Sequence, residues 1–452
     1  CADLTADGFP AVAQKCVTTT VRDPYTNITV LKGPHYADRD NPTLKPGDEF
    51  HWYLAVAKGA GLAIGELDFI EDLPPQFEFL GVECVSYGPG TGSVYFGSPY
   101  WMNYPGISPS CAFNPASLTT VSVDPLPGGD TRYHWNVNLT TVQLPAGQKL
   151  NGGGTFYLSF RVRVKPGTAV GQYTNHMNVT TPGLVTECTP GAADTSDLDA
   201  DGDLTEIMCP HSSPVIIDEA AVVGAEKWDD GYDGLDHVDQ STGQPSAVCP
   251  DWAGYTRYPC VAQTIPSGPF SYRWKLQNYG NIDLTNYVVY DILPYVGDTG
   301  VSQLLGGGSR GTEWQPNLSG PVVVESQPTG ANAVVEYNLT TNPCRPELNQ
   351  GPTDASWQAS CDDTWYTAAQ ISDWSTVRSF RVKAFQQLPN GTKPAWAPAD
   401  AIVLYAPMVA PAGALTSTSS PLNLSIAWNS VAHRAYRLNA DQSTERLLAS
   451  EP

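Results

Sequence analysis

Apolar and polar residues alternate along Phe50-His51-Trp52-Tyr53-Leu54-Ala55-Val56. Alternation of period two over this length predicts a half-buried β-strand. A Pro46-Gly47-Asp48 turn opens it, and Asp68-Phe69-Ile70-Glu71-Asp72-Leu73-Pro74 reads as a second strand. The plan returns: Pro266-Ser267-Gly268 opens Phe270-Ser271-Tyr272-Arg273-Trp274-Lys275-Leu276, and Val288-Val289-Tyr290-Asp291-Ile292-Leu293-Pro294 follows. Pro46 to Asp72 spans 26 positions and Pro266 to Asp291 spans 25. A shared spacing of this kind points to two copies of one β-domain.

Further strands are expected at Cys16–Val21, Ile28–Leu31, Phe77–Val82, Tyr133–Leu139, Phe156–Val164 and Gly171–Val179. In the second copy, Val377–Lys383 is matched to the Phe160–Val164 strand and Ala427–Ala432 to the Tyr173–Val179 strand. Gly, Asp, Thr and Ser dominate 183–213, which reads as a linker. No sustained 3.6-residue apolar period appears. The expected fold is all-β: two tandem immunoglobulin-like β-sandwich domains with long disulfide-stapled loops. Residues 1–182 form the first domain with an N-terminal arm, 183–220 an acidic linker, 221–439 the second domain and 440–452 a polar tail.

Composition sharpens this. The 452 residues include 41 Gly and 39 Pro, a mix suited to turn-rich β-structure. The net charge of −22 argues against nucleic acid and anionic membrane as partners. No run of about 20 apolar residues exists to insert in a bilayer. Ten cysteines with alternating short and long gaps, and no Cys-x-x-Cys pattern, favour disulfides and an oxidising compartment. Nearest neighbours pair as Cys1–Cys16, Cys84–Cys111, Cys188–Cys209, Cys249–Cys260 and Cys344–Cys361. Cys1 at the start suggests a removed leader.

Asp197-Leu198-Asp199-Ala200-Asp201-Gly202-Asp203-Leu204-Thr205-Glu206 places acids at every second position, with a glycine for the sharp turn. That suits a structural calcium ion held by Asp197, Asp199, Asp201, Asp203 and Glu206. Met208 stands at position twelve of the loop, so an EF-hand is not expected. A second acid-rich stretch runs from Asp229 to Asp239 with less regular spacing. Gly307-Gly308-Ser309-Arg310-Gly311 fits Gly-x-Ser-x-Gly but lies between β-segments, not between a strand and a helix, so it reads as a plain loop. Tyr87, Tyr95, Phe96, Tyr100, Trp101 and Tyr104 crowd one loop that could stack on a glycan or anchor a protein.

Pro-Gly-Asp, an alternating strand, Asp-x-Leu-Pro and a closing Tyr/Trp-x-Asn strand together resemble the immunoglobulin-like repeat domains of bacterial cell-surface adhesins and fimbrial subunits. Ala427-Trp428-Asn429-Ser430-Val431-Ala432 and the stretch Asp291 to Gly300 look like actinobacterial cell-wall proteins in particular. No Leu-Pro-x-Thr-Gly sorting signal follows, so the anchor is expected to be missing, removed or on another subunit. The resemblance implies a Lys–Asn isopeptide crosslink with an acid between the partners. Its candidates are Lys227, Asp291 and Asn429 in domain two, and Lys15, Asp72 and Asn175 in domain one. Disulfides already supply covalent ties, so the plainer reading is that the acids cap a turn and the asparagines satisfy backbone. The expected function is an extracellular structural or adhesive surface protein, a fibre subunit without enzymatic activity that assembles with itself or other surface subunits. The alternative is a carbohydrate-binding or accessory module of a secreted hydrolase.

Overall fold

The computed structural model describes residues 21, 23–35, 43–89, 118–139, 154–245, 249, 251–300, 308–349, 360–414 and 425–451. The Cys1–Cys16 pairing, Cys111, the aromatic residues from Tyr95 to Tyr104 and Lys15 fall outside them. Two compact units emerge. Unit one takes the chain to 44, then 49–163 and 172–216. Unit two takes 217–452 with the short segments 45–48 and 164–171.

Unit one begins with β1 (Tyr25–His35), β2 (Thr43–Leu44), β3 (Glu49–Gly61) and β4 (Glu66–Leu73). Then come β5 (Phe77–Pro89), β6 (Leu118–Pro125), β7 (Thr131–Asn138), β8 (Gly154–Val164) and β9 (Gly171–Thr180). It ends with β10 (Val185–Glu187), β11 (Ala192–Ala193) and β12 (Ile207–Ile217). One sheet runs β10-β1-β3-β8-β5 and the other β11-β12-β9-β4-β7-β6. Apolar alternation turns Trp52, Leu54 and Val56 of β3 inward, all fully buried. Phe69 of β4 meets Phe156 of β8 at 5.7 Å, and Trp135 of β7 meets Phe160 of β8 at 5.5 Å. These ring contacts cross from sheet to sheet, and each such side chain contributes roughly 1.5–3 kcal/mol on burial.

Unit two holds β13 (Val223–Asp230), β14 (Val238–Asp239), β15 (Gln244–Pro245), β16 (Cys260–Val261), β17 (Pro269–Asn278) and β18 (Leu284–Ile292). It continues with β19 (Asn317–Leu318), β20 (Val323–Ser326), β21 (Val334–Asn338), β22 (Ser379–Ala384), β23 (Ala401–Val409), β24 (Val431–Leu438) and β25 (Thr444–Arg446). The sheet β13-β17-β23-β19 faces β21-β22-β18-β24-β25, while β14, β15 and β16 make a small separate sheet. Trp274 of β17 packs edge-on against Phe380 of β22 at 5.5 Å. Both units are immunoglobulin-like sandwiches.

The turn that opens each copy is the same. Pro46 precedes Gly47 at φ 92° and Pro266 precedes Ser267 at φ 60°, with Asp48 N–H bonding Lys45 O and Gly268 N–H bonding Ile265 O. Proline followed by a left-handed residue is a type II turn. Strand pairing then equates β1, β3, β4, β7, β8 and β9 with β13, β17, β18, β22, β23 and β24. This corrects one expected match. The strand through Val377–Lys383 corresponds to β7, because both pair with the strand bearing Leu-Pro, and the Phe160–Val164 strand corresponds to β23.

Two boundaries also differ from expectation. The expected linker 183–220 is mostly part of unit one: β10 pairs with β1, and β12, which runs to Ile217, lies between β9 and β11. The polar tail expected from 440 is joined to unit two, since β25 pairs with β24 and Ser450 bridges His433. Among the described residues no helix is long and apolar enough to cross a membrane. Cys188–Cys209, Cys249–Cys260 and Cys344–Cys361 form as expected.

Candidate functional sites: a lysine, an acid and an asparagine in each unit

Lys227 lies mid-strand on β13, paired with Trp274 of β17. Its side chain points into the sandwich and Nζ reaches Asp291 Oδ2 on the opposite sheet at 2.8 Å. Nζ also lies 4.1 Å and 4.6 Å from the ring centres of Tyr272 and Trp274, close enough for cation–π attraction. Asp291 is 1% exposed, and its Oδ1 is buried without a hydrogen-bond partner. Asn429 Nδ2 sits 3.4 Å from the same Oδ2 that holds the lysine. One carboxylate oxygen thus touches the amine and the amide. Burial removes water from the ammonium and brings the Lys227 pKa down to about 8, against the pull of Asp291. On the far side, Arg310 donates to Asn429 Oδ1 at 3.4 Å.

Unit one builds the same arrangement from Lys32, Glu71 and Asn175. Lys32 Nζ donates to both Glu71 oxygens at 2.5 Å, with both side chains fully buried. It lies 5.2 Å from the Trp52 ring centre. Burial lowers the Lys32 pKa to about 8 and raises that of Glu71. Asn175 is fully buried beside Glu71, and neither amide atom makes a well-formed hydrogen bond.

The registers coincide. Lys32 pairs with Leu54, four residues beyond Phe50, and Lys227 pairs with Trp274, four residues beyond Phe270. Glu71 pairs with Met177, two residues past Asn175; Asp291 pairs with Val431, two residues past Asn429. The structure therefore brings Lys227, Asp291 and Asn429 together as the sequence named them, and in unit one it gives Lys32, Glu71 and Asn175, where the sequence reading named Lys15, outside the described residues, and Asp72. Asp72 is not beside Asn175. Successive side chains on a strand point to opposite faces, so Asp72 turns away from Glu71 and forms a salt bridge with Arg132 at 2.7 and 2.9 Å. Matching aspartate with aspartate misplaced the register by one. Counting would have found it: Glu71 lies 25 positions after Pro46, as Asp291 lies 25 after Pro266.

The acidic loop draws together two carboxylate groups, Asp194 with Asp199 and Glu206, and Asp197 with Asp199 and Asp201, the ligand atoms within 4.8 Å in each. Asp203 belongs to neither; its carboxylate accepts from Thr205 N–H and hydroxyl at 2.8 and 2.7 Å. Asp194, absent from the sequence reading, is 2% exposed. Burial and the adjoining Asp199 push Glu206 up to about 8, and burial raises Asp199. Glu206 Oε1 is buried without a partner. An all-carboxylate donor set with such an orphaned oxygen suits a hard divalent cation. The stretch 229–239 forms no such group among the described residues. There Asp229 accepts from Ala262 N–H, and burial brings its pKa up to about 7.

A cavity of about 390 Å³ in unit two is lined by Lys227, Asp229, Asn429, Trp228, Tyr258 and Trp428, among others. The Tyr258 and Trp428 rings are inclined at 52°, with centroids 6.3 Å apart. Ser309 and Arg310 lie on irregular backbone with no helix after them, so the Gly-x-Ser-x-Gly match has no nucleophile-elbow geometry.

No protein-family model and no curated protein matches the chain. Among solved structures, the full-length major pilin SpaD from Corynebacterium diphtheriae is 10% identical, over 93% of this chain and 61% of that one, with a TM-score of 0.25. The chain thus spans about three-fifths of that pilin. The 35 kDa C-terminal fragment of the major pilin GBS80 of Streptococcus agalactiae is 6% identical over 94% of this chain and 91% of that one, with a TM-score of 0.26. AvmM, which catalyses macrocyclization in alchivemycin A biosynthesis, is 9% identical over 43% of this chain and 90% of that one, with a TM-score of 0.22. At these scores the likenesses carry no functional weight.

Proposed function

We propose that the chain is a structural subunit of an extracellular surface fibre, and that each unit closes its own Lys–Asn isopeptide bond, Lys32–Asn175 around Glu71 and Lys227–Asn429 around Asp291. The observation that carries this reading is the recurrence of lysine, acid and asparagine at one register in both units. Buried ion pairs are costly and by themselves weak devices for stability. Proton transfer within a buried lysine–carboxylate pair gives amine and acid, which are the forms the chemistry needs. Neutral Nζ attacks the asparagine Cγ, the acid relays the proton to the amide nitrogen, ammonia leaves, and a neutral amide replaces two charges.

The placement fits a load-bearing part. Lys32 and Lys227 lie on the first described strand of their units, while Asn175 and Asn429 lie on or just before the strand that pairs with the acid's strand in the facing sheet. A bond there carries tension from strand to strand without shearing the sheets. Disulfides at Cys188–Cys209, Cys249–Cys260 and Cys344–Cys361 support an oxidising, extracellular setting. Partners on this reading are further copies or other surface subunits. The acidic loop is proposed to hold a structural calcium ion, supported by its two carboxylate groups and the orphaned Glu206 oxygen. The glycan-binding alternative draws on the aromatic cavity of unit two, but Tyr258 and Trp428 present no common plane for a sugar face.

Intact mass measurement tests the crosslinks. After the disulfide hydrogens are counted, two bonds lower the mass by about 34 Da, ~17 Da for each ammonia lost in acyl transfer. An unshifted mass defeats the reading. Electron microscopy of native material tests the assembly: dispersed monomers without fibres would favour the binding-module alternative.

A further inference from the structure

Resting on the isopeptide reading of unit two, we propose that Arg310 is a catalytic residue of the Lys227–Asn429 crosslink, holding the Asn429 carbonyl oxygen and stabilising the negative charge it takes up when the amine attacks. NH1 of Arg310 donates to Asn429 Oδ1 at 3.4 Å and to Ser430 Oγ at 3.0 Å. The guanidinium is fixed from behind. Asp298 accepts from Nε at 2.5 Å and from NH2 at 3.2 Å, and NH2 also donates to Ile292 O, the residue after Asp291, at 2.8 Å. Asp298 is itself anchored by Tyr295 N–H at 2.9 Å. The Arg310 side chain is 6% exposed and that of Asp298 fully buried. A preorganised donor out of water, aimed at the oxygen where charge develops, is the arrangement that stabilises a tetrahedral oxyanion.

The step balances without a further reactant. The Lys227 lone pair forms the new N–C bond at Asn429 Cγ, and the carbonyl π pair moves onto Oδ1 beside Arg310. Asp291 passes a proton from Nζ to Nδ2. The pair on Oδ1 re-forms the carbonyl, the C–Nδ2 bond breaks and ammonia departs. Amine and carboxamide go to a secondary amide and ammonia. The Arg310 charge has a second effect, since it opposes protonation of Lys227 and so favours the attacking form. Unit one offers a contrast: among the described residues the Asn175 amide has no hydrogen-bond donor on its oxygen.

A purely structural Arg310 would tie its loop to Asp298 and leave the chemistry alone, and kinetics separate the two roles. The full chain is made in an oxidising cell-free reaction, and ammonia loss from each unit is followed by peptide mass spectrometry against time and pH. The variants are Arg310→Ala with Asp298→Asn, which removes both buried charges together, and Arg310→Lys, which keeps the charge but cannot span Asp298, Ile292 and Asn429 at once. The double variant is expected to slow unit-two loss by about 10²–10³-fold, the range for a lost oxyanion donor. It should also move the unit-two rate–pH midpoint upward, while unit-one loss is unchanged. Arg310→Lys should fall between, roughly tenfold slower than wild type. A double variant that folds and closes unit two at the wild-type rate overturns the role of Arg310 and leaves the crosslinks standing. If the double variant does not fold, wild-type kinetics in Arg310→Lys overturn it. A wild-type chain that loses no ammonia from unit two overturns both readings there.

Discussion

A lysine and a glutamate with no contact with water are held at a cost of several kcal/mol each for lost solvation, only partly offset by their attraction. Lys32 and Glu71 are such a pair, and Asn175 beside them has an amide without well-formed hydrogen bonds. Reaction removes both charges and the orphaned amide together, which argues for a chemical role. In Glu71→Ala the unit-one mass loss should vanish and the unit-two loss remain, so the total deficit falls from about 34 to ~17 Da. Lys32 would then stay buried without its counter-charge, costing that unit roughly 3–5 kcal/mol, readable as a lowered melting transition. Two losses in Glu71→Ala would refute the assignment. The pH dependence follows from the amine. Lys32 and Lys227 are brought down to about 8 from 10.5, and the neutral form attacks. Amine and acid together hold the same single proton as the ion pair, so crosslinking should be level below that value and fall about tenfold per unit above it. A rate that is still level between pH 9 and 10 would show that burial does not tune these amines. How much of this was legible in the sequence turns on single positions. Lys227, Asp291 and Asn429 could be named because resemblance supplied their roles. Glu71 was hidden by its neighbour Asp72, which matches Asp291 in type but faces the other way. Arg310 was hidden inside a glycine loop, because long-range contacts to a loop leave no periodic trace.

At the scale of elements, strands with uninterrupted alternation were readable, and β3, β8 and β17 lie where the pattern puts them. The β12 strand was missed since Pro210 and Pro214 break its run and Ser212-Ser213 dilute its apolar face. Its buried positions, such as Val215 and Ile217, are set by the sheet it joins. This changes what the acidic loop can do. The loop is closed by Cys188–Cys209 and enters β12 at Ile207, so a cation would brace one edge of a sheet, not a free tether. With calcium, cleavage between 194 and 206 should be suppressed; with chelator it should appear, while β12 stays protected. Binding to the folded form alone stabilises by mass action. Asp199→Ala with Asp201→Ala should cleave alike with and without calcium. If wild type also shows no difference between calcium and chelator, the loop is only a solvated acidic turn.

At the scale of the whole molecule, the two proposed bonds decide how the chain responds to force. Pulled from its ends, an uncrosslinked β-sandwich releases its whole contour once the strands part. A Lys32–Asn175 bond would withhold about 140 residues, ~500 Å at roughly 3.6 Å per residue, and a Lys227–Asn429 bond about 200 residues, ~700 Å. The three disulfides among the described residues close short loops inside unit two or after Asn175 and cannot account for extensions of that size. Single-molecule pulling under oxidising conditions should therefore show only short releases from wild type. The Lys32→Ala variant should add one long step and Lys227→Ala the other, larger one. Each lysine removed also deletes a buried charge, so Asn175→Ala and Asn429→Ala serve as parallel variants that keep the amine. Should wild type extend by the full contour of both units, neither sandwich is tied, and a load-bearing role would have to rest on packing alone.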